Sequence, residues 1–559
     1  MIGSPDQGES SPAYSPLDTE RKQIRLLHLL PGSWEDPVSC TTSNAFVSDN
    51  PVFESLSYAW GDPSVTRTVL LNGHAIAVTV NLFAALRRLR YRSLSRLLWA
   101  DALCINQADL EEKARQVSLM GNVYSVASRG ILWLGEYSEL LSNPSTDTTH
   151  RERLENAIPE ANAVEAFEWL HRLAGDLDSK SVSHVGYELT RRPEISSCVG
   201  SLQMLLSLPW WSRMWTLQEA VLPRDVIFVC GSSEITLEAM DKAQDNYLEY
   251  RTTAAQPEPR YGPVGHILDR LSFWVMAIAH LGEFGEERDI AHALFSCKTR
   301  EATNPRDKVY AVLGMFPLIA RYIEVDYSKD TSQVSTELLL CLIKLHGDLK
   351  GLVCAAITPK DSSLPSWVPN WCYIQEHNMP GGEIGLINEY DEGFSAKTTR
   401  AQVRTPRHGV LDILGVSVGR VMAVYHIHAA SSQALSENTA ESLRGWIDSL
   451  SVCSAQDTNA YLSIIGHMID RMRNLDDRDA WIFITGQGHV GYAGHEVWVD
   501  DTVHVFLGGK VPFVLRASHC PQDQLRDRYY TLVCHCHVHG IMNGEALGWD
   551  LKLQWFSLV

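Results

Sequence analysis

Basic residues are scarce in this chain of 559 residues. Lysine and arginine number 48 against 67 aspartates and glutamates, which gives a formal net charge of −19. A surface this negative repels the phosphates of nucleic acids and of anionic lipid headgroups. We therefore expect neither nucleic acid nor a membrane surface as a partner.

Long hydrophobic runs and targeting segments are also missing. The most apolar late window, LSFWVMAIAHLG at 271–282, is far shorter than the roughly 20 residues that a membrane-spanning helix needs. The N-terminal residues lack a basic stretch followed by an apolar one, so we expect a disordered leader over residues 1–22 rather than a signal peptide. The twelve cysteines have no regular spacing. This usage is typical of a reducing compartment and favours a cytoplasmic location.

Apolar runs and helical patterns alternate in the first part of the chain. Between residues 53 and 135 this alternation is typical of an α/β layer with mostly parallel strands. We predict that strands 56–60, 98–104, 131–134 and 226–230 belong to one mainly parallel sheet, because their near-continuous apolar character suits burial on both faces. The pair Asn72-Gly73, between two β-rich runs, predicts a hairpin inserted into this layer.

Two further segments predict helices. Asp109 and Glu112 have the spacing of a capping box, and apolar residues then recur on one helical face. In LPWWSRMWTLQEAVL, Trp211 and Trp215 are four residues apart, so we expect them to pack together on one side of a helix.

Composition divides the chain into regions. The polar stretch 137–200 predicts an insertion of helices and loops. Beyond residue 330 helical and β-rich runs mix, with no internal repeat. We divide the chain into the leader at 1–22, an α/β domain at 23–330 and an α+β region at 331–559.

Four segments together resemble one known family. They are SLSYAWGD at 55–62, LLWADALCINQADLEEKARQVSLMGNVYSVASRGILWLG at 97–135, LPWWSRMWTLQEAVL at 208–222 and NPRDKVYAVLGM at 304–315. Their order and approximate spacing are similar to those of the fungal heterokaryon incompatibility (HET) domain family. Weaker similarities, LPSWVPNW and VHGIMNGEAL, extend toward the C-terminus.

The resemblance implies a domain that triggers growth arrest or cell death when incompatible fungal cells fuse. The implied fold is similar to TIR domains, which are flavodoxin-like parallel α/β units. No nucleotide-binding module or repeat array is recognisable, so the expected partners are other proteins of the incompatibility system, with self-association as a further possibility. Some TIR domains cleave NAD with one helical glutamate, and by this fold analogy the corresponding residue is Glu219.

This analogy leaves the enzymatic question open. If the chain is an enzyme, the resemblance implies an NAD nucleosidase-like hydrolase with NAD as substrate. The remaining alternative is an accessory protein or enzyme of small-molecule metabolism, since the polar residues of the domain specify no substrate.

The surroundings of Glu219 can also be read from its own helix. Trp215, Gln218 and Glu219 stand at positions i, i+3 and i+4, so an indole, an amide and a carboxylate share one face. Such a face suits a ribose, whose oxocarbenium-like centre a carboxylate stabilises. Alternatively, Glu219 pairs with Arg213 or Arg224 and only stabilises the helix.

An aspartate interrupts the apolar run LLWADALCINQ at 97–107. A carboxylate in a strand core is costly unless it is paired or used. If strands 56–60 and 98–104 are neighbours, their carboxyl ends face the crevice where such sheets bind ligands. Alternatively, Asp101 caps the turn into the next helix or pairs with Arg96 or Arg115. The candidate ligand pocket comprises Tyr58, Trp60, Asp62, Asp101, Asn106, Gln107, Arg213, Trp215 and Gln218.

Three other patterns are weak. GQGHVG at 486–491 has the form of a dinucleotide-binding turn, but β-like residues follow where that turn needs a helix. GVSVG at 415–419 has the form of a nucleophile elbow around Ser417, yet again no helix follows. In CHCHVHG, His535, His537 and His539 would share one face of a strand and are weak candidates for zinc. We favour a histidine-rich, half-exposed strand and assign no metal.

Overall fold

The structure is a computed structural model. It describes residues 14–18, 20–138, 157–175, 193–253, 271, 275, 278, 290–297, 299–358, 360–371, 399–427, 437–450, 460–466, 479–518 and 529–559. The chain divides into two compact units. The first consists of Met1–Arg288, Thr299–Ala320 and Glu324–Asp326, and the second of Asp289–Lys298, Arg321–Ile323 and Tyr327–Val559. Residues 1–13 and 19 of the predicted leader lie outside the described residues.

In the described part of the first unit, ten strands form one mixed sheet. The strands are β1 (Gln23–Leu29), β2 (Ser39–Phe46), β3 (Glu54–Tyr58), β4 (Thr66–Leu71), β5 (His74–Thr79), β6 (Arg96–Trp99), β7 (Arg129–Tyr137), β8 (Ala157–Ile158), β9 (Val226–Cys230) and β10 (Ser233–Thr236). Their spatial order is β10-β9-β7-β3-β6-β1-β2-β4-β5, and β8 pairs with β7.

Four neighbouring strands, β6, β3, β7 and β9, form a parallel core. Tyr58 in β3 lies opposite Trp133 in β7, which in turn lies opposite Val229 in β9. The prediction that these four strands share one sheet is confirmed. The sheet as a whole is mixed rather than mainly parallel, because β1 runs antiparallel to β6 at one side and β10 runs antiparallel to β9 at the other.

The helices of both units, with their bounds, are as follows. They are α1 (Val80–Leu89), α2 (Asp101–Cys104), α3 (Leu110–Val126), α4 (Glu160–Ala174), α5 (Pro193–Leu206), α6 (Trp215–Val221), α7 (Leu237–Thr253), α8 (Ile290–Ser296), α9 (Asp307–Leu313), α10 (Pro317–Ala320), α11 (Thr331–His346), α12 (Lys350–Ile357) and α13 (Glu437–Ser449). Within the described residues, none of the helices has the length and apolar character that crossing a bilayer requires.

The predicted strand 98–104 is wrong in its second half. Strand β6 ends at Trp99, and Asp101 is the first residue of the short helix α2. Leu103 and Cys104 are buried there as completely as they would be in a strand. A short apolar run therefore does not distinguish a strand from a helical turn at the edge of a sheet.

The predicted hairpin is confirmed. Strands β4 and β5 pair antiparallel, with Leu71 opposite His74. Asn72 and Gly73, which connect them, have φ angles of 52° and 82°. Positive φ at both central residues is the requirement of a type I′ turn, and asparagine and glycine meet it at least cost.

Helix α3 begins as the sequence predicts. The Asp109 side chain accepts the backbone N–H groups of Glu111 and Glu112, each at 3.0 Å. The Glu112 side chain does not return to Asp109, because it binds Arg25 instead. The cap is therefore one-sided, and the second half of the capping-box prediction is wrong.

The tryptophan-rich segment is not one continuous helix. Pro209–Ser212 form a 3-10 turn, and the backbone of Arg213 is extended, with φ −80° and ψ 136°. Helix α6 therefore begins only at Trp215. The helical pairing predicted for Trp211 and Trp215 is wrong, because this break destroys the i, i+4 geometry. Trp211 is fully buried and stacks on Phe228, with 5.3 Å between ring centroids.

Helices α3, α6 and α9 meet at two glycines. A Cβ atom on Gly121 of α3 would lie 2.7 Å from the Cα of Gly314, which follows α9. A Cβ atom on Gly314 would in turn overlap Oε1 of Gln218 in α6. The absence of both side chains lets the helices approach closely enough to place α6 against the sheet.

The second unit contains a barrel-like sheet. Its strands are β11 (Val403–Arg407), β12 (Val410–Ile427), β13 (Ala480–Thr485), β14 (Val490–Ala493), β15 (Thr502–Phe506), β16 (Phe513–Ser518), β17 (Tyr529–His535), β18 (His537–Val538) and β19 (Gln554–Leu558). Strands β12, β15, β16, β17 and β19 form a closed ring, since β12 pairs with both β15 and β19. The other strands continue from the long β12 through β13, β14 and β18, and β11 pairs with β12.

The two glycine patterns fall in this sheet. GVSVG lies inside β12, and GQGHVG comprises the turn between β13 and β14 and the first two residues of β14. No helix follows either pattern in these described segments, in agreement with the sequence-based interpretation. Ser417 is therefore a strand residue. Gly488 adopts the positive φ of 85° that the turn requires.

Candidate functional site

Three donors meet on the carboxylate of Asp101. The hydroxyl of Tyr58 donates to Oδ1 and the indole Nε1 of Trp60 donates to Oδ2, each at 2.9 Å. The backbone N–H of Ala102 donates to Oδ1 at 2.7 Å. Tyr58 ends β3 and Asp101 follows β6, so this cluster lies at the carboxyl edge of the parallel strands. The hydrogen bonds satisfy both carboxylate oxygens of the half-buried Asp101 and fix its orientation.

The ion-pair alternative for Asp101 is wrong. Arg96 binds Glu54 at 2.6 Å, and Arg115 binds Glu111. The capping alternative is wrong as well, because the N-cap residue of α2 is Ala100 and that of α3 is Asp109. Asp101 is the first residue of α2, and its side chain connects two strand ends and accepts the N–H of the adjacent Ala102.

Glu219 lies in α6 and is buried, with 6% of its surface exposed. Burial raises the pKa of its carboxyl from 4.5 to about 7, and the negative charge of Asp101 acts in the same direction. A hydrogen bond with Ser57 and the positive charges of Arg213 and Arg300 oppose that rise in pKa. The site thus contains a buried carboxyl group that changes its charge near neutral pH, a property common among acid–base groups of active sites.

Ser57 connects Glu219 to the tryptophan-rich turn. The indole Nε1 of Trp210 donates to Oγ of Ser57 at 2.8 Å. With its oxygen accepting from the indole, the Ser57 hydroxyl can use its own hydrogen toward Glu219. A donor of this kind favours the charged carboxylate, which explains why the Ser57 contact lowers the pKa.

Two buried phenols border the same carboxyl groups. Burial, and then the negative charge of Asp101, raise the pKa of Tyr58 well above its usual value. Burial, and then the charge of Glu219, do the same for Tyr124 in α3. Both phenols therefore remain neutral hydrogen-bond donors over the physiological pH range.

The proposed pairing of Glu219 with an arginine is wrong. Among the ion pairs of the described residues, none joins Glu219 to Arg213 or Arg224. Arg224 is exposed, and Arg213 is half-buried. The influence of Arg213 on Glu219 acts through space rather than through a direct ion pair.

Arg300 is a site residue that the sequence analysis missed. It is fully buried and donates to the carbonyl oxygen of Arg213 at 2.9 Å and to Oγ1 of Thr216 at 2.8 Å. The buried Lys308, in the NPRDK motif, donates to the carbonyl of Arg300. The only available signal was the position of Arg300 just before that motif, which does not specify a contact with α6.

The remaining pocket candidates serve mainly local structure. Asp62 is exposed, and its Oδ1 accepts the N–H and the hydroxyl of Ser64 at 2.8 and 2.6 Å. The Asn106 side chain accepts the N–H of Ala108 at 3.2 Å. Gln107 is closer to the cluster, because its Nε2 donates to the carbonyl of Asp101 at 3.1 Å.

The two remaining helix candidates differ in their roles. Trp215 is half-buried and packs against the hydrophobic core of the first unit. Gln218 is almost completely buried and lies against Gly314. They are on the predicted face of α6 together with Glu219, since α6 spans all three residues.

The histidine-rich segment near the C-terminus does not form the predicted continuous strand. Strand β17 ends at His535 and β18 begins at His537, while His539 is exposed. Cys534 and His535 are both buried, so histidines and cysteines do not alternate between two faces. Burial lowers the pKa of His535 to about 3. In the part of the chain that the structure describes, no group of three or more His, Cys, Asp or Glu residues is placed to hold a metal ion.

Comparison with known proteins identifies two matching segments. Residues 53–219 match the family model of the heterokaryon incompatibility protein (HET), and residues 420–558 match that of the Het-6 β-barrel domain. Over 416 residues the chain is 28% identical to heterokaryon incompatibility protein 6, OR allele, of Neurospora crassa. That alignment covers 64% of this chain and 58% of the relative, so the chain spans little more than half the length of that protein. No solved structure matches the chain significantly.

Proposed function

This chain is a heterokaryon incompatibility (HET) family protein, and we propose that it acts in self and non-self recognition between fungal cells. Its HET domain promotes growth arrest or programmed cell death when incompatible cells fuse, and the second unit regulates this response or binds partners. The observation that carries the proposal is the match of two successive segments, 53–219 and 420–558, to domains of incompatibility proteins.

The proposed partners are other proteins of the incompatibility system, and self-association is one route to activation. The net charge of −19 disfavours nucleic acids and anionic membrane surfaces as partners. We place the protein in the cytoplasm, because fusion of two cells mixes their cytoplasms and brings the products of different alleles into contact.

Inducible expression of the full chain in a filamentous fungus tests the proposal. Colony growth and uptake of a vital dye are measured in single strains and after fusion with a strain of different incompatibility genotype. We expect growth arrest and dye uptake with the wild type. Trp210→Ala removes a fully buried indole from the HET domain and should abolish the response, whereas Tyr91→Phe, at an exposed ring, should retain it. Normal growth of fused cells that accumulate the wild-type protein would contradict the proposal.

A second candidate function is hydrolysis of NAD by a TIR-like domain. The observation that favours it is the buried Glu219 carboxyl, which hydrogen-bonds with Ser57 and interacts with the positive charges of Arg213 and Arg300. The parallel strands β6, β3, β7 and β9 follow one another in space in the order 2-1-3-4 of their sequence. Flavodoxin-like sheets begin with this order. The order therefore supports the proposed relationship to TIR domains.

In this reaction the bond between nicotinamide and the ribose of NAD breaks, and the nicotinamide nitrogen keeps the electron pair. Ionised Glu219 stabilises the positive charge that develops on the ribose. Water then adds to that carbon and releases a proton, so the products are ADP-ribose, nicotinamide and one proton. The positive charge of Arg213, which acts on Glu219, would attract the phosphates of the same substrate.

Release of nicotinamide from NAD by purified protein tests the second candidate. Glu219→Gln keeps the size of the side chain and removes its charge, so we expect a rate at least about a hundredfold lower. The matched control is Glu238→Gln, at an exposed glutamate of α7, which should keep the wild-type rate. No release by the wild type, including under conditions that make it self-associate, would exclude this candidate. Equal release by the wild type and Glu219→Gln would remove Glu219 from the reaction.

A further inference from the structure

A buried ion pair holds the turn that follows Asp101. Arg25, in β1, donates to the two carboxylate oxygens of Glu112, at 2.5 and 2.8 Å. Arg25 also donates to the carbonyl of Cys104, at 3.1 Å. Glu112 accepts in addition the backbone N–H of Asn106, at 2.8 Å. The pair therefore binds two backbone groups of the segment 104–106, at the end of the helical turn that begins at Asp101.

The same guanidinium group is held from a second direction by the N-terminal segment. Nη2 of Arg25 donates to the carbonyl oxygen of Ser15 as well as to Glu112. The ring of Tyr14 lies 5.0 Å from Cζ of Arg25, within the range of a cation–π interaction. Tyr14 packs against the hydrophobic core of the first unit, and burial raises the pKa of its hydroxyl to about 12. The aromatic ring thus shields the ion pair from water.

We propose that Tyr14 and Ser15 form a clip on the Arg25–Glu112 pair that controls the position of the Asp101 segment. With the clip bound, the two Nη groups of Arg25 are occupied by Glu112, Cys104 and Ser15. Without it, water reaches the guanidinium and weakens its attraction to Glu112, because an ion pair in a higher dielectric is weaker. The N–H of Asn106 then loses its fixed acceptor.

This arrangement makes the N-terminal segment a control point of the candidate site. Ser15 is exposed, so another molecule that binds this segment can reach it. Removing the clip changes the surroundings of Asp101 without touching Asp101 or Glu219. The proposal concerns the position of a segment and does not depend on which reaction or signal the site serves.

Amide hydrogen exchange of the full chain tests the clip. Tyr14→Ala should accelerate exchange of the Asn106 N–H about tenfold, with a smaller acceleration at the Ala102 N–H that binds Asp101. Tyr14→Phe keeps the ring and should restore slow exchange. Ser15→Ala should match the wild type, because the acceptor at this position is the main-chain carbonyl. Unchanged exchange at Asn106 and Ala102 in Tyr14→Ala would overturn the proposal.

Two further measurements separate the clip from general stability. Val229, in the distant β9, serves as the reference amide, and equal acceleration there would overturn the proposal by showing that Tyr14 supports the whole unit. Glu112→Gln should accelerate exchange of the Asn106 N–H even with the clip present. Adding Tyr14→Ala to Glu112→Gln should then have little further effect, because the clip acts through Glu112. If the accelerations of exchange caused by the two single substitutions multiply in the double variant, the proposal that the clip acts through Glu112 is wrong.

Discussion

The hydroxyl of Tyr58 donates a hydrogen bond of 2.9 Å to Oδ1 of Asp101. This bond connects the last residue of β3 to the first residue of α2, and Trp60 occupies the other carboxylate oxygen. Two neighbouring strands of the parallel core are thus joined at their carboxyl ends by side chains, beyond the hydrogen bonds of the sheet itself. The connection also fixes the carboxylate of Asp101, whose negative charge raises the pKa of Glu219.

Tyr58→Phe should therefore lower the free energy of unfolding by about 1–3 kcal/mol, the usual loss when a charged acceptor loses a buried donor. The ring, and hence the packing, is retained. Urea unfolding followed by tryptophan fluorescence measures the change. The control is Tyr91→Phe, at an exposed ring, which should leave stability unchanged. Equal stability of the two variants would show that water replaces the Tyr58 hydroxyl at no cost.

Alanine substitutions at two glycines should change the free energy of unfolding in opposite directions. Gly314→Ala would place a methyl group against Oε1 of Gln218 and 2.8 Å from the Cα of Gly121, so we expect a loss of about 1–3 kcal/mol from overpacking. Gly200→Ala, inside α5, meets no atom within 4 Å and should gain about 0.5–1 kcal/mol from helix propensity. Thermal unfolding of both variants measures these changes. A stable Gly314→Ala would mean that Gln218 can move aside, and would remove the close-approach role of this glycine.

Local patterns in the sequence were sufficient for much of the first unit. The four parallel strands and the Asn72-Gly73 turn follow from short-range rules. Strands buried on both faces require near-continuous apolar runs, and positive φ at a two-residue turn favours asparagine and glycine. The end of β6 could not be predicted. The four residues after Asp101, Ala102–Ile105, are apolar, and such a short run fits a strand and a helical turn equally well.

The candidate site was predictable in part. The cluster of Tyr58, Trp60 and Asp101 follows from adjacent strand ends once the strands are known to be neighbours. Arg300 and the Arg25–Glu112 pair depend on contacts between segments far apart in the chain, and no local pattern specifies which distant arginine approaches a given carboxylate.

Because the helix is broken at Arg213, we expect Trp211 and Trp215 to contribute unequally to stability. Trp211 is fully buried and stacks on Phe228, so Trp211→Ala should cost about 3–5 kcal/mol. Trp215 is half-buried, and Trp215→Ala should cost clearly less. Urea unfolding of the two variants measures which substitution causes the larger loss of stability. A larger loss for Trp215→Ala would favour the continuous helix that the sequence alone predicted.

The raised pKa of Glu219 gives stability a definite dependence on pH. The folded chain holds this proton up to about pH 7, whereas the unfolded chain releases it at about 4.5. Between these values the folded state binds more protons than the unfolded state, so stability falls as pH rises. The contribution of protonated Glu219 is fully present below about pH 4.5 and is lost as pH rises through about 7.

Glu219→Gln removes this titration, because the amide is neutral at every pH. Between about pH 4 and pH 8, the unfolding free energy of the wild type should therefore fall relative to that of the variant by roughly 3 kcal/mol, the equivalent of the shift in pKa. Urea titrations at a series of pH values measure this difference, and Glu238→Gln provides the reference for an exposed glutamate. A difference that stays constant with pH would show that Glu219 ionises normally in the folded chain. The inferred change of charge near neutral pH would then be wrong, whereas the NAD reaction, which uses ionised Glu219, and the proposed role in incompatibility would stand.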